Sequence, residues 1–272
     1  MPEQYCAPDV INGPDGNYVI LAELGDGGQA NAYLARDPRG NKVCLKVLTL
    51  PNSEQANSQL DYARRLDQAA KTPGWEHARA HVIAPHSYFV SGDHFLVEQY
   101  ANGNTLAHYL KPDNRIAYAV ARPAAKAITV ALMLVELAGL AHRDVNPNNI
   151  AFRNSPAEAA LIDFGLASPL LRAPKFPGFT PGYAPPEQYQ NAPASTACDV
   201  YSLGATLYHA LTGAPPFPTT PTPVFHGQRW NAEHAKALVD SGIPPAVIAL
   251  IERMLAYEPH DRPSLREVFK NL

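Results

Sequence analysis

The stretch His142-Arg143-Asp144-Val145-Asn146-Pro147-Asn148-Asn149, with Asp163-Phe164-Gly165 after it, decides how this chain is interpreted. Pro147 lacks a backbone donor and restricts the residue before it, which predicts a loop rather than a helix. Asp163 ends the apolar run 159–162, which predicts a strand. The loop directs the Asp144 carboxylate at a substrate, while Asn149 and Asp163 supply hard oxygen ligands. Such donors suit Mg²⁺ when substrate phosphates complete its coordination.

The order His-Arg-Asp, four residues, Asn and then Asp-Phe-Gly resembles the catalytic loop and metal motif of protein kinases. Either tripeptide alone would be expected by chance, so the resemblance depends on further motifs in the same order. These motifs are Gly25-Asp26-Gly27, Lys46 in Val43-Cys44-Leu45-Lys46, Tyr183-Ala184-Pro185-Pro186-Glu187, Asp199-Val200-Tyr201-Ser202-Leu203-Gly204 and Asp261-Arg262-Pro263-Ser264. The resemblance extends from about Tyr18 to the last residue, and it is strongest to the compact Ser/Thr kinases of bacteria.

The resemblance implies an α+β, two-lobed protein-kinase-like fold with ATP and Mg²⁺ between the lobes. The N-lobe is expected to be a small antiparallel sheet with one helix, and the C-lobe to be larger and mainly helical. We predict an N-terminal arm over residues 1–17, the nucleotide-binding N-lobe over 18–101 and the C-lobe over 102–272. Mn²⁺ is an alternative to Mg²⁺.

Composition and charge limit the partners and the cellular compartment that we expect for the protein. A chain of 272 residues with a formal charge of −3 and a pI near 6.4 has no electrostatic footprint for nucleic acid or an anionic membrane. Its three cysteines are widely spaced without a metal-ligand pattern, and the N-terminus does not resemble a signal peptide. The apolar segment 127–141 is short for a membrane span and is predicted to be a buried helix. We therefore expect a cytoplasmic protein.

The N-terminal half contains the predicted nucleotide-binding residues. Glycines allow backbone N–H groups to approach phosphate oxygens, and by resemblance Lys46 bridges the α- and β-phosphates. The resemblance assigns the nucleotide site to Gly25, Gly27, Gly28, Ala32, Cys44, Lys46, Glu98, Tyr100 and Ala151. Ala30, Ala32 and Cys44 depart from the usual Gly, Val and Ala, but each change is small.

The acid that holds Lys46 is the main open question of this half. The resemblance predicts a Glu in the next helix, from about Ser53 to Lys71, and none is evident. Asp67 lies on the helical stripe of Ala56, Leu60, Ala63 and Ala70 and is the candidate, although it is equally suited to a surface pair with Arg64. Glu98, in the strand that enters the hinge, is a second candidate that shares or replaces this role. A register shift of one residue would instead make it the ordinary hinge Glu.

In the C-terminal half, the resemblance makes Asp144 the catalytic base, and Asn149 and Asp163 the metal ligands. Asn146 stands where Ser/Thr kinases usually carry a Lys, so we expect slower rather than abolished transfer. Thr180 is expected to hydrogen-bond to Asp144.

Four further assignments concern the support of this half. Ser168 matches the usual phosphorylation site poorly, so little dependence on activation-segment phosphorylation is expected and Arg143 is predicted to be structural. Asp199 fits either a helix capping box or a contact to the catalytic-loop backbone. Arg262 is predicted to pair with Glu187.

These assignments predict an ATP-dependent Ser/Thr protein kinase that acts on a protein substrate. One alternative is a pseudokinase that binds a partner, with or without nucleotide, and transfers nothing. Asn146, the missing helix Glu and Glu98 support that alternative. A small-molecule kinase of the same fold is the third possibility, and the segment 180–187 favours protein substrates over it.

Overall fold

The computed structural model describes residues 4–26, 30–49, 53–110, 114–219 and 229–272. The chain divides into two units. The first comprises residues 1–64 and 83–101, and the second comprises residues 65–82 and 102–272. The predicted N-lobe and the first unit both end at residue 101. The prediction places residues 65–82 in the N-lobe, whereas they belong to the second unit. The sheet of the first unit and the helices of the second agree with the predicted α+β fold class.

The first unit is built on an antiparallel sheet. Its strands are β1 (Val10–Gly13), β2 (Gly16–Asp26), β3 (Ala30–Arg36), β4 (Lys42–Leu48), β5 (Ser87–Ser91) and β6 (Asp93–Gln99). They are ordered β1-β2-β3-β4-β6-β5 across the sheet. Alternation along β4 sends Leu45 and Val47 to one face and Lys46 to the other, because successive side chains of a strand point to opposite faces.

The predicted N-terminal arm over residues 1–17 is wrong for its second half, because β1 belongs to the sheet. Val10–Gly13 pairs with Gly16–Val19 of β2, and Ile11 joins the aromatic core with Tyr33 and Phe95. Tyr5 packs edge-on against Tyr33, and its hydroxyl donates to Asp93 at 3.0 Å. The segment therefore covers one face of the sheet with apolar side chains.

Helix α1 (Ser53–Ala70) follows β4 closely and agrees with the predicted bounds. Ala56 packs with Leu48 and Leu96, on the face of the sheet that carries Lys46. The fully buried positions of α1 are small or apolar apart from Gln59; they are Ala56, Gln59, Tyr62, Ala63, Leu66, Ala69 and Ala70.

The second unit is mainly helical. Its helices are α2 (Leu106–Tyr109), α3 (Tyr118–Leu137), α4 (Pro186–Tyr189), α5 (Thr196–Thr212), α6 (Ala232–Asp240), α7 (Pro245–Met254) and α8 (Leu265–Asn271). Short strand pairs join β7 (Leu140–Ala141) to β10 (Ser168–Pro169), and β8 (Ile150–Ala151) to β9 (Ala160–Leu161). Short 3-10 helices lie at Glu76–His81, Pro147–Asn149, Pro156–Glu158 and Pro259–Asp261.

Helices α3 and α5 form the centre of this unit. Helix α5 is buried on nearly every face, and Gly204 allows α7 to approach it, since a Cβ there would lie 2.8 Å from Met254 Cβ. Helix α3 begins four residues before the predicted start at Arg122, so Pro123 lies inside the helix rather than in its first turn. By length and composition α3 would suffice for a membrane span, yet 56% of its apolar window is buried within the fold. It is the core helix that the sequence predicted.

The predicted ion pair between Glu187 and Arg262 is present. The Arg262 guanidinium donates to both carboxylate oxygens of Glu187, at 2.6 and 2.9 Å, and lies over the ring of Tyr201. It also donates to the carbonyls of Ala197 and Tyr257. The pair joins the end of the 163–187 segment to the helical core, and its arginine side chain is fully buried.

We expect Arg262→Ala to destabilise the chain by about 3–5 kcal/mol, because removal of one partner leaves a largely buried carboxylate uncompensated. Urea unfolding followed by circular dichroism measures this difference. Arg253→Ala is the matched control, since its pair with Glu267 is half exposed on both sides and is expected to contribute at most about 1 kcal/mol. Equal losses in the two variants would show that the buried pair has no special role.

Candidate active site

The catalytic loop is held by a carboxylate from α5. Asp199 accepts the backbone N–H groups of His142 at 2.8 Å and Arg143 at 2.7 Å. Arg143 has φ of 66°, a left-handed conformation that disfavours residues other than glycine and asparagine. Ser195 occupies the N-cap of α5, so the capping-box alternative for Asp199 is wrong and the contact to the catalytic-loop backbone is confirmed.

Arg143 is fixed through its carbonyl and its side chain as well. Gln188 Nε2 donates to the Arg143 carbonyl at 2.8 Å and also to the carbonyl of Gly178. The Arg143 guanidinium, 2% exposed, donates to the Leu166 carbonyl at 3.2 Å. No sequence pattern singles out Gln188, because its role depends on two carbonyls that are distant in the chain. These contacts support a structural role for Arg143.

The Asp144 carboxylate accepts hydrogen bonds from three side chains. Its Oδ1 accepts from Thr180 Oγ1 at 2.5 Å and from Asn146 Nδ2 at 3.0 Å, while its Oδ2 accepts from Asn149 Nδ2 at 2.7 Å. The predicted contact between Thr180 and Asp144 is therefore present. Three donors from two segments fix the carboxylate in one orientation.

The environment of Asp144 tunes its proton affinity. Desolvation raises the pKa of this carboxyl to about 6, and the nearby charge of Asp163 also raises it. The hydrogen bonds from Thr180, Asn146 and Asn149 stabilise the ionised form and partly offset the increase. A pKa near 6 leaves the group mainly ionised at neutral pH, yet close enough to accept a proton during a reaction.

Asn149 and Asp163 carry the oxygens predicted to bind metal. The Asn149 amide nitrogen is engaged by Asp144, which leaves the carbonyl end of the side chain as an oxygen donor. Asp163, with φ of 64°, accepts from the Gly165 N–H through one oxygen, at 3.1 Å. One carboxylate and one amide oxygen fit Mg²⁺, which usually completes its shell with water and phosphate oxygens. Within the described ranges, no cluster of three or more His, Cys, Asp or Glu residues forms a separate metal cage.

Asn146 preserves the connections of this loop position without the charge of a lysine. Its Nδ2 donates to Asp144 and, at 3.3 Å, to Thr180 Oγ1, while its Oδ1 accepts from the Asn148 N–H. The side chain thus links the loop to the 163–187 segment and caps the 3-10 turn that begins at Pro147. What it lacks is a positive charge for a transferring phosphoryl group.

Ser168 lies inside the fold. It is 2% exposed and belongs to β10, which pairs with β7 immediately before the catalytic loop. A phosphate on this hydroxyl would require the strand pair to open.

The first unit contains an ion pair that answers the question about Lys46. Lys46 Nζ lies 3.1 Å from Glu98 Oε1, and both side chains are buried. Glu98 lies in β6 opposite Cys44. The pair agrees with the alternative in which Glu98 shares or replaces the role of a helix acid. Asp67 is exposed and pairs instead with Arg79 at 2.6 Å, so its assignment to Lys46 is wrong, as is the alternative pair with Arg64.

The structure also places the other residues that were predicted to bind nucleotide. Gly25, Ala32 and Lys46 occupy neighbouring register positions of β2, β3 and β4, and half-buried Cys44 precedes Lys46 by two residues. Half-buried Tyr100 follows β6. Ala151 belongs to the second unit, where it pairs with Ala160 in β9. Gly27 and Gly28 lie outside the described residues.

Comparison with known proteins identifies the family. The protein kinase domain family model matches residues 18–272. The chain belongs to the protein kinase domain family. The serine/threonine-protein kinase PknE of Mycobacterium bovis is 32% identical over 253 residues, which are 91% of this chain and 44% of that protein. PknA of Nostoc, also named a serine/threonine-protein kinase, is 29% identical over 91% of this chain and 45% of its own length. The kinase domain spans less than half the length of these relatives.

A solved structure supports the same fold. The crystal structure titled PF14_0431, kinase domain, superposes with a TM-score of 0.75 over 99% of this chain and 97% of that one, at 16% identity. At this identity the likeness concerns the fold alone.

The pKa of Asp144 generates a pH prediction for this kinase domain. A base must be ionised to accept a proton, so kcat/KM for phosphoryl transfer should fall as the pH decreases through about 6. Thr180→Val removes a hydrogen bond that lowers this pKa, and the acidic limb should move to higher pH. Thr212→Val, which loses only bonds to the backbone carbonyls of Tyr208 and Ala214, is the control and should leave the limb in place. An unmoved limb in Thr180→Val would contradict the assignment of Asp144 as the titrating group.

Proposed function

We propose that this chain is an ATP-dependent Ser/Thr protein kinase that transfers the γ-phosphoryl group to a protein hydroxyl. The observation that carries the proposal is the Asp144 carboxylate, oriented by Thr180, Asn146 and Asn149 and ionised at neutral pH. Its relatives are named serine/threonine-protein kinases, which agrees with this assignment.

The transfer requires little covalent chemistry from the protein. The acceptor oxygen forms a bond to the γ-phosphorus, the bond from that phosphorus to the β–γ bridging oxygen breaks, and ADP leaves. Asp144 orients the acceptor hydroxyl and receives its proton. Lys46 binds the α- and β-phosphates, and Glu98 balances its charge within the sheet. Asn149 and Asp163 would hold Mg²⁺ or Mn²⁺, which neutralises charge on the phosphates.

A protein acceptor is favoured by the segment that supplies Thr180. This residue connects Asp144 to the stretch that continues through Tyr183 to Glu187, which Arg262 anchors to the helical core. A segment held at both ends provides a firm surface on which a polypeptide can lie beside the base. A small-molecule kinase needs no such surface.

Activation is proposed not to require a phosphate on the 163–187 segment. Arg143, the residue that would receive it, already donates to the Leu166 carbonyl and is buried. The two Ser and Thr hydroxyls of the segment are committed to the fold, since Ser168 is buried and Thr180 donates to Asp144. Hydrogen bonds within the fold thus replace the contacts that a phosphate on this segment would make to Arg143.

The cellular setting is proposed from residue chemistry. No disulfide joins Cys6, Cys44 and Cys198, and burial raises the pKa of the Cys198 thiol, which makes it unreactive. A reducing compartment such as the cytoplasm suits this pattern. The expectations of no nucleic-acid and no membrane partner stay predictions.

The function is tested by transfer of labelled γ-phosphate from ATP, first with Mg²⁺ and then with Mn²⁺. The acceptors are the chain itself and a generic basic protein. We expect incorporation by the wild-type chain and a loss of about 10²–10⁴-fold in Asp144→Asn. Tight ATP binding without incorporation would identify a pseudokinase instead.

Asn146 provides a gain-of-function prediction. A cation at this position would stabilise negative charge on the transferring group, and one preorganised electrostatic donor is worth about 10²–10³ in rate. We therefore expect Asn146→Lys to raise kcat, by about tenfold or more, in a single-turnover assay. Asn148→Lys adds the same charge at an exposed neighbouring position and should leave kcat within about twofold. A decrease in Asn146→Lys would show that hydrogen bonding, rather than charge, is the limiting contribution here.

A further inference from the structure

The pair between Lys46 and Glu98 is formed entirely within the sheet of the first unit. Strands β4 and β6 are antiparallel neighbours, with Cys44 opposite Glu98 and Lys46 opposite Leu96. Lys46 and Glu98 are therefore diagonal neighbours on one face, a separation that long side chains bridge. Their Nζ and Oε1 atoms lie 3.1 Å apart. The ladder of backbone hydrogen bonds between the strands fixes this geometry.

Both partners are removed from water. Lys46 is 8% exposed and Glu98 is 2% exposed. A buried carboxylate needs a positive charge beside it, and a buried ammonium group needs a negative one. Neither charged group has the solvent exposure of a surface side chain. The burial shows that the sheet is built to keep these two groups together.

Helix α1 faces the same side of the sheet, and its buried positions contain no carboxylate. Ala56 belongs to one apolar cluster with Leu48 and with Leu96, the cross-strand partner of Lys46. The buried polar residue of the helix is Gln59, which is uncharged. Asp67 is exposed and forms an ion pair with Arg79, and both residues belong to the second unit. The acidic partner of Lys46 thus comes from a neighbouring strand instead of the helix.

We propose that Glu98 is the positioning residue for Lys46 and that it replaces a helix carboxylate, so that Lys46 is held ready without any movement of α1. This inference rests on the proposed function, because it assigns Lys46 to ATP phosphates. A lysine held from a helix can be released when that helix shifts. A lysine held across paired strands has no such release, and the nucleotide site is permanently assembled in this respect.

The test compares acids of the sheet and of the helix with isosteric substitutions. Glu98→Gln removes the charge on β6, while Asp61→Asn and Asp67→Asn remove charges on α1. ATP dissociation constants come from calorimetry, and kcat and KM from the labelled-phosphate assay. We expect Glu98→Gln to weaken ATP binding at least tenfold and to lower kcat at least as much. Both helix variants should stay within about twofold of the wild type.

A double variant separates positioning from a general loss of structure. In the Lys46→Ala background, Glu98→Gln should cause no further loss of ATP affinity or kcat, because Glu98 acts only through Lys46. Glu98→Asp keeps the charge and should recover part of the activity. Melting temperatures, measured in parallel, establish that each variant is folded at the assay temperature.

Several outcomes would overturn the proposal. Tighter ATP binding in Glu98→Gln would mean that Glu98 sequesters Lys46 from the phosphates. Unchanged binding and kcat in Glu98→Gln, or a comparable loss in either helix variant, would return the role to α1. A wild-type chain that binds ATP without transferring phosphate would contradict the proposed function, whereas the ATP affinities of the same variants would still decide the role of Glu98.

Discussion

The catalytic half of the molecule depends on one buried carboxylate. Asp199 accepts two consecutive backbone N–H groups and thereby holds Arg143 in a left-handed conformation that the chain would otherwise avoid. Desolvation raises the pKa of Asp199 from 3.8 to about 7, although those two N–H bonds and the Arg143 charge oppose the shift. A group with a raised folded pKa binds protons more readily in the folded state, so its contribution to stability decreases as the pH increases from about 4 to about 7. The loop geometry is thus obtained at some expense in stability at neutral pH.

Half-buried Asp144 and buried Glu98 are two further acids, and the roles proposed for them are chemical. Among the described residues, Asp144 has three side-chain donors and no cation as hydrogen-bond partners, which leaves its carboxylate ionised but only modestly stabilised. Glu98 has Lys46 at 3.1 Å, so its charge is balanced directly. The difference follows from the two tasks. A base must accept a proton during the reaction, whereas a positioning residue must keep its charge throughout.

Much of the site was predictable because its motifs are local. The spacing of the catalytic loop, the strand before Asp163 and the bounds of α1 all follow from short-range patterns and agree with the structure. The acid partner of Lys46 was harder, because consecutive helix positions differ by about 100° and the buried face of α1 includes Gln59 and Leu66 instead of Leu60 and Asp67. Apolar Leu66 is buried and Asp67 faces solvent. Strand β1 escaped prediction because four residues carry too little alternation, and only pairing with β2 defines them.

Asn146 shows that orientation and charge are separable functions of one loop position. Its amide donates to Asp144 and Thr180, so the proposed base is oriented without a lysine. An amide cannot supply the electrostatic stabilisation that a cation gives to a transferring phosphoryl group. The other supports follow the same principle, since Arg143 is held by a carbonyl rather than a phosphate and Lys46 by a strand rather than a helix. For Arg143 and Lys46, a partner that can be switched is thus replaced by a partner that the fold keeps in place. A kinase domain with these replacements is expected to transfer phosphate slowly and without phosphorylation of the 163–187 segment.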